Sequence, residues 1–328
     1  MAVPGNTVVS STRTNKREDL SNIIADISPT ETPVLTLIKS QSATARYHEW
    51  LTDSLANAAL NKHEDGDNDA ADASSATNRL GNRTQIMKKT CSVSGSAEAI
   101  DKAGYASEMA YQMQKRSKEI KRDCEKSITS NQALVVGAAG TASQMAGIES
   151  YLTSNIVYGG TNAGAANPGF NTGNGTVVAP TDPNNTGAFT EPKLKSLVKA
   201  CWDSGGEPDI LIAGGFNRQA VSSFSGIASL YRDTAPKLGP ASIIASADIY
   251  VSDFSGNGGI KVVADRHSRP GVALLLDPEY LSMAWLRGFE SYELSKIGDS
   301  EQRTIIAEGC VQVSNEAAHG KIVGLTTS

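Results

Sequence analysis

No stretch of this sequence approaches the ~20 consecutive apolar residues that cross a bilayer, and the first residues, MAVPGNTVVSSTRTNKRED, lack the charged-then-apolar order of a secretion signal. The expectation is a protein made in the cytoplasm, without a membrane partner. Cysteine is scarce and scattered: Cys91, Cys124, Cys201 and Cys310 form no CxxC pair and have no histidine nearby, which excludes a zinc knuckle and argues for reduced, buried thiols. The four histidines, His48, His63, His267 and His319, stand apart, with neither HExxH nor a GxSxG elbow around any of them. No GxxxxGK[ST] occurs, and no GxGxxG lies between a strand and a helix. These absences point away from an enzyme and predict no cofactor and no metal. Excess positive charge is also missing: the net charge is −5, so the chain as a whole does not attract nucleic acid.

What is present is an ordinary globular composition, 39% hydrophobic and 20% charged over 328 residues, enough for two or three packed units. Its strongest pattern is a proline-free stretch from about Ala99 to Val136. There Ala106, Met109, Ala110, Met113, Ile120, Cys124, Ile128 and Leu134 recur mostly three and four apart, the spacing of a helix with one buried side. Gly104 places the regular part after it, and a helix from Ser107 to Gly137 would be roughly 45 Å long at ~1.5 Å per residue. Lys115, Arg116, Lys118, Lys121, Arg122 and Lys126 lie on the wet side among Glu119, Asp123 and Glu125. The spacing predicts helix-surface pairs such as Glu119 with Arg122 and Lys121 with Glu125. Contact with DNA phosphates is the weaker reading, because acids intervene and aromatic interleaving is slight.

Before this helix, residues 1–45 read as an arm, with Leu20, Ile23, Ile24 and Ile27 as a short apolar stripe and Pro29 and Pro33 imposing an extended course. Two strand-like runs follow, at 44–55 and 83–100, flanking a span too acidic and polar to bury itself; together they predict a long hairpin. Asp65, Asp67 and Asp69 alternate as in a calcium loop, but Ala70 and Ala76 stand where the loop needs glycine and glutamate. The N-x-[ST] matches at Asn82, Asn174 and Asn184 carry little weight without a secretion signal. Beyond the helix, about 156–189 is Gly/Asn-rich loop with room for a short hairpin. From Thr190 helix and strand alternate: EPKLKSLVKACWD and FNRQAVSSF as helices, and DILIA, ADIYVSDF, IKVVADR and VALLLD as strands. The last segments, LSMAWLRGFESYEL, RTIIAEGCVQV and KIVGL, are strand-like and are expected to complete a sheet against the long helix.

Five segments carry a resemblance: REDLSNIIADISPTETP, EWLTDSL, the block from TQIMKKTCSVSGS through EIKRDCE, GEPDILIAGGFN, and the block from LLLDPEYLSMAWLRG through SNEAAHG. Together they resemble the major capsid proteins of tailed bacteriophages with the Hong Kong 97-type fold. The resemblance implies an α+β fold with an N-terminal arm (1–45), an extended hairpin loop (46–98), a peripheral domain begun by the spine helix and the Gly/Asn-rich loop (99–189), an axial domain (190–260), and return strands to both (261–328). It implies self-assembly as pentamers and hexamers into an icosahedral shell that encloses double-stranded DNA without reading its sequence. Such a protein is made and assembled in the host cytoplasm and resides in the virion capsid. Portal, scaffolding and decoration proteins are further partners the resemblance allows, and no fused scaffolding segment is expected. On the hairpin, Trp50, Leu51, Leu55, Glu64, Asp65 and Asp67 are the candidate intersubunit contacts. The alternatives are a nanocompartment shell of the same fold and, from a different class, a soluble cytoplasmic hydrolase.

Overall fold

The computed structural model describes residues 31–56, 58, 60–66, 76–102, 104–224, 248–254, 259–296 and 298–328. Its frame is a pair of long strands, β12 (Leu281–Leu294) and β13 (Ser300–Val313), antiparallel from Leu281 opposite Val313 to Leu294 opposite Gln302. β4 (Gln85–Ser94) pairs antiparallel with β13, and β1 (Lys39–Ser42) runs parallel to β12, giving a four-stranded sheet ordered β1-β12-β13-β4. On β4 the side chains alternate, so that Met87, Cys91 and Val93 are buried while Lys88 and Thr90 are exposed.

The long helix α3 (Glu108–Thr129) lies against β4 and β13. Its start is set chemically: the Ser107 hydroxyl accepts from Ala110 N–H at 3.2 Å, and Glu98 Oε2 accepts from the N–H groups of Glu108 and Met109 at 3.0 and 3.3 Å. An acceptor and a negative charge thus meet the positive end of the helix. Met109, Ile120, Cys124 and Ile128 are buried, whereas Ala106 and Ala110, expected on the buried side, are exposed. The helix also ends eight residues short of the expected Gly137. Ser127, Thr129 and Ser130 turn their hydroxyls onto the carbonyls of Asp123, Glu125 and Ser127, and the following backbone bonds elsewhere, with Leu134 N–H reaching Val177 O at 3.0 Å. Such hydroxyls compete with helix propagation.

A six-stranded sheet forms the second unit, ordered β5-β14-β11-β8-β10-β9. The strands are β5 (Ile156–Tyr158), β8 (Ile210–Ala213), β9 (Ile249–Tyr250), β10 (Ile260–Ala264), β11 (Val272–Leu276) and β14 (Gly320–Val323). Every residue of β8, β11 and β14 is buried, which is why DILIA and VALLLD read as continuous apolar runs. The alternation sorts them between two cores. Ile210, Ile212, Val272, Leu274 and Leu276 join the cluster that holds Ile120 and Ile128 of α3. Leu211, Ala213, Ala273 and Leu275 pack with Leu194, Leu197, Val198 and Cys201 of α5 (Glu191–Asp203) and Val221 of α6 (Gly215–Ser222). At Gly320 a Cβ would lie 2.6 Å from Leu197 Cδ1, so glycine lets α5 approach β14.

Two expectations change at the N-terminal side. Leu20, Ile23, Ile24, Ile27 and Pro29 lie outside the described residues. Pro33, however, opens a short helix, α1 (Pro33–Leu37), because at the first helical position its missing N–H has no partner to lose. The hairpin pairs β2 (Tyr47–Thr52) with β3 (Asn78–Arg83), from Tyr47 opposite Arg83 to Thr52 opposite Asn78. The run at 83–100 is not its second arm. Most of that run is β4, whose buried Met87, Cys91 and Val93 belong to the sheet beneath α3, and α2 (Gly95–Ala99) ends it.

Candidate assembly surface

The base of the β2–β3 hairpin is locked into its own chain. Asn82 is fully buried; its Nδ2 donates to Val311 O at 2.7 Å and Ala146 O at 3.2 Å, and its Oδ1 accepts from Ala146 N–H at 2.9 Å. Tyr151 Oη donates to Gly81 O at 3.0 Å, while Gly81 leaves room for Tyr47, whose ring would lie 2.6 Å from a Cβ. Thr84 Oγ1 donates to Glu308 Oε1 at 2.9 Å, and Arg287 clamps Glu308 Oε2 through Nε and Nη2 at 2.9 and 2.6 Å. A buried carboxylate satisfied from both sides is a rigid anchor, because removing either partner leaves its charge uncompensated.

Past this root the chemistry inverts within one residue. Trp50 points inward, 8% exposed, with its ring 6.0 Å from that of Tyr151, and so serves its own subunit's core rather than the neighbour expected from sequence. Strand pleating puts Leu51 on the opposite side, 67% exposed. Leu55 and Leu60 are 97% and 91% exposed, and Glu64 and Asp65 are exposed beside them; Asp67 lies outside the described residues. Leu60 was not singled out by sequence because it stands alone in a polar span. The hairpin therefore presents Leu51 on a paired strand rooted in the body, with Leu55, Leu60, Glu64 and Asp65 exposed beyond the last paired residues.

The start of α1 joins the body at Glu125. This side chain is buried and accepts from the N–H groups of Val34 and Leu35 at 2.7 and 2.8 Å, holding the start of α1. Burial pushes its carboxyl up to about 7; the two N–H bonds oppose the rise and the nearby charge of Asp265 adds to it. Glu125 is thus unavailable to Lys121, contrary to the surface pairing expected from spacing. A second buried acid, Glu149, is clamped by Arg269 at 2.6 Å, and Arg269 also pairs with Asp182. The buried Lys321 donates to Glu149 O at 3.0 Å, tying β14 to α4 (Ile148–Tyr151), with its amine pulled down to about 8 by burial.

The groups that sequence weighed for chemistry have structural surroundings. His319 Nδ1 accepts from Asp277 N–H at 3.0 Å, and burial lowers its pKa to about 4, so the ring is neutral. His48 lies 2.8 Å from Gln312 Oε1, and His267 donates its backbone N–H to Asp265 at 2.8 Å. All four cysteines are buried and free; desolvation raises Cys124, Cys201 and Cys310 to about 12. Cys91, in the segment expected to be the second hairpin arm, is buried as expected and packs against the sulfurs of Met109 and Met113 at 3.6 and 3.4 Å.

Comparison with solved structures matches this architecture along nearly its whole length. The capsid of a native GTA particle aligns with a TM-score of 0.64 at 10% identity, over 98% of this chain and 100% of the other. The structure of Gordonia phage Cozz aligns at 0.59 and 11% identity, over 100% and 99%. The SrpI encapsulin of Synechococcus elongatus PCC 7942 aligns at 0.58 and 10% identity, over 98% and 97%. The fold is of the Hong Kong 97 type, an α+β architecture shared by phage capsids and encapsulins. In sequence, the major capsid protein of Escherichia phage Phieco32 is 34% identical over 126 residues, covering 38% of this chain and about a third, 36%, of that protein. The SU10 major capsid protein family matches residues 5–326, so the chain belongs to that family of capsid proteins.

Proposed function

We propose that this chain builds an icosahedral virion shell around double-stranded DNA, as pentamers and hexamers of itself, assembling in the host cytoplasm by binding alone and with no catalytic step. The observation that carries the proposal is the hairpin: a root fixed by Asn82, Thr84 and Glu308, and a tip that exposes Leu51, Leu55 and Leu60 with no core of its own to enter. Burying one leucine on a neighbour is worth about 1.5–3 kcal/mol, and such contacts accumulate over an interface of standard size, roughly 1,600 Å². In this arrangement residues 1–45 are the arm, latched at Glu125, and 47–83 are the extended loop. The sheet containing β4 and β13, with α3, is the peripheral domain; the six-stranded sheet with α5 and α6 is the axial domain.

The test replaces residues 54–76 with Asn-Gly, a turn that closes a two-residue hairpin between Asp53 and Thr77. The expected result is an unchanged circular dichroism spectrum and loss of particles in sedimentation and negative-stain microscopy, where the parent chain forms them. Normal shells from the shortened chain would overturn the proposal that this tip bridges subunits. A hydrolase would give no particles from either chain. The similarity to the SrpI encapsulin favours one second reading, a nanocompartment shell. It predicts particles that hold protein cargo in place of DNA.

A further inference from the structure

The basic residues of α3 are not neutralised as their spacing predicted. Glu119 pairs with Arg116 at 2.6 Å, Asp123 reaches across to Lys89 on β4 at 2.7 Å, and Glu125 is turned inward to α1. Lys115, Lys118, Lys121, Arg122 and Lys126 are left with no acidic partner among the described residues, and all four lysines are exposed. At ~100° per residue, Lys115, Lys118, Arg122 and Lys126 fall within one narrow stripe, directly opposite the buried Ile120, Cys124 and Ile128. A chain of net charge −5 thus carries a cationic line along the longest helix among the described residues.

The stripe has no exposed apolar anchor: its exposed neighbour is Gln114, and Tyr111, one turn before Lys115 on the same line, is half-buried with its ring stacked on Tyr105 at 4.7 Å. Protein interfaces are depleted in lysine and depend on buried aromatic or arginine anchors, whereas a polyanion is bound by lysines alone through release of its counterions. Along the axis the stripe spans about 16 Å, over which a duplex strand presents about five phosphates.

We propose that this stripe of α3 is the docking surface for the phosphate backbone of the enclosed DNA, and so marks the face of the subunit that looks into the shell. The proposal rests on the shell reading above. It describes contact without sequence readout, since only phosphates are addressed.

The experiment uses the full chain with a short random-sequence DNA duplex, titrated at several salt concentrations. A variant carrying Lys115→Glu, Lys118→Glu and Lys126→Glu is compared with a control of equal charge change, Lys88→Glu, Lys199→Glu and Lys261→Glu, all at exposed positions. The stripe variant is expected to bind at least about tenfold more weakly, with a salt slope lower by about 3, close to 0.9 per lost phosphate contact. The control should bind like the parent. Equal binding by parent and stripe variant, or equal loss in the control, overturns the proposal. If the glutamates prevent folding, the corresponding glutamines carry the same test. A synthetic peptide of residues 61–76 that displaces the duplex would assign the stripe to a neighbour's acidic hairpin tip and overturn it as well. Sedimentation of particles reports separately on the shell reading.

Discussion

The root and the tip of the β2–β3 hairpin lie within a few residues of each other along the strands, yet they belong to different kinds of surface. At the root, Asn82, Gly81 and Trp50 are held by partners far away in sequence, among them Val311 and Tyr151. At the tip, Leu55 and Leu60 touch almost nothing of their own chain. The difference shows how one strand can face two ways: alternation sends Trp50 to the core and Leu51 outward, so anchoring the root leaves the other face exposed.

The contrast breaks most completely below the root. Ile128→Asp or Ile120→Asp puts an unpaired charge into the cluster shared with Trp50 and Met87. Several kcal/mol against a total of roughly 5–15 should abolish soluble folding, read as loss of the monomer from the soluble fraction. Assembly-competent protein from either variant would show that this face of α3 is not the buried one.

Next in size is Asn82→Ala. It leaves Ala146 N–H and the carbonyls of Ala146 and Val311 unpaired in the interior, at about 1–3 kcal/mol for each group that finds no other partner. Urea unfolding should show a loss of about 2–4 kcal/mol. A change under 0.5 kcal/mol would mean that the root is not anchored there.

Glu125→Gln sharpens the comparison where α1 meets the long helix. Because the folded carboxyl lies near 7, above its unfolded value, its contribution to stability is fully present below about pH 4.3 and is lost as pH rises through 7. The parent chain should therefore lose stability relative to the glutamine variant between pH 5 and 8, by about 1.4 kcal/mol for each pH unit separating the folded and unfolded values. Parallel urea midpoints for the two chains across that range would contradict it.

The smallest effect on folding is expected at the tip. Leu55→Ser with Leu60→Ser should change monomer stability by less than about 0.5 kcal/mol, since neither side chain has contacts to lose. The same pair should raise the protein concentration needed for particle formation, measured by light scattering.

Much of the fold was legible where periodicity and burial coincide. The apolar runs DILIA and VALLLD, the stripe Leu194, Leu197, Val198 and Cys201, and the buried line of Ile120, Cys124 and Ile128 all sit where their patterns put them. The exposed end of the hairpin was legible only as composition, a polar span between two strands. The strand partners of that span were misread, because β4 has the same local chemistry as a hairpin arm and only its pairing with β13, more than two hundred residues away, decides which sheet it joins.

By itself the sequence determined where the buried stripes of α3 and α5 run, that DILIA and VALLLD would be strands, and that the span after residue 55 is too polar to bury itself; these follow from periodicity and polarity, which are local. Only the tertiary structure decided what the charges do. Glu125 goes inward to two N–H groups, Asp123 to a lysine on another strand and Glu119 to Arg116, and the remaining cations of α3 are left facing solvent. Charges three and four apart on a helix are always within reach of each other, but which pairs form depends on what competes for them, and the competitors arrive only when distant strands pack.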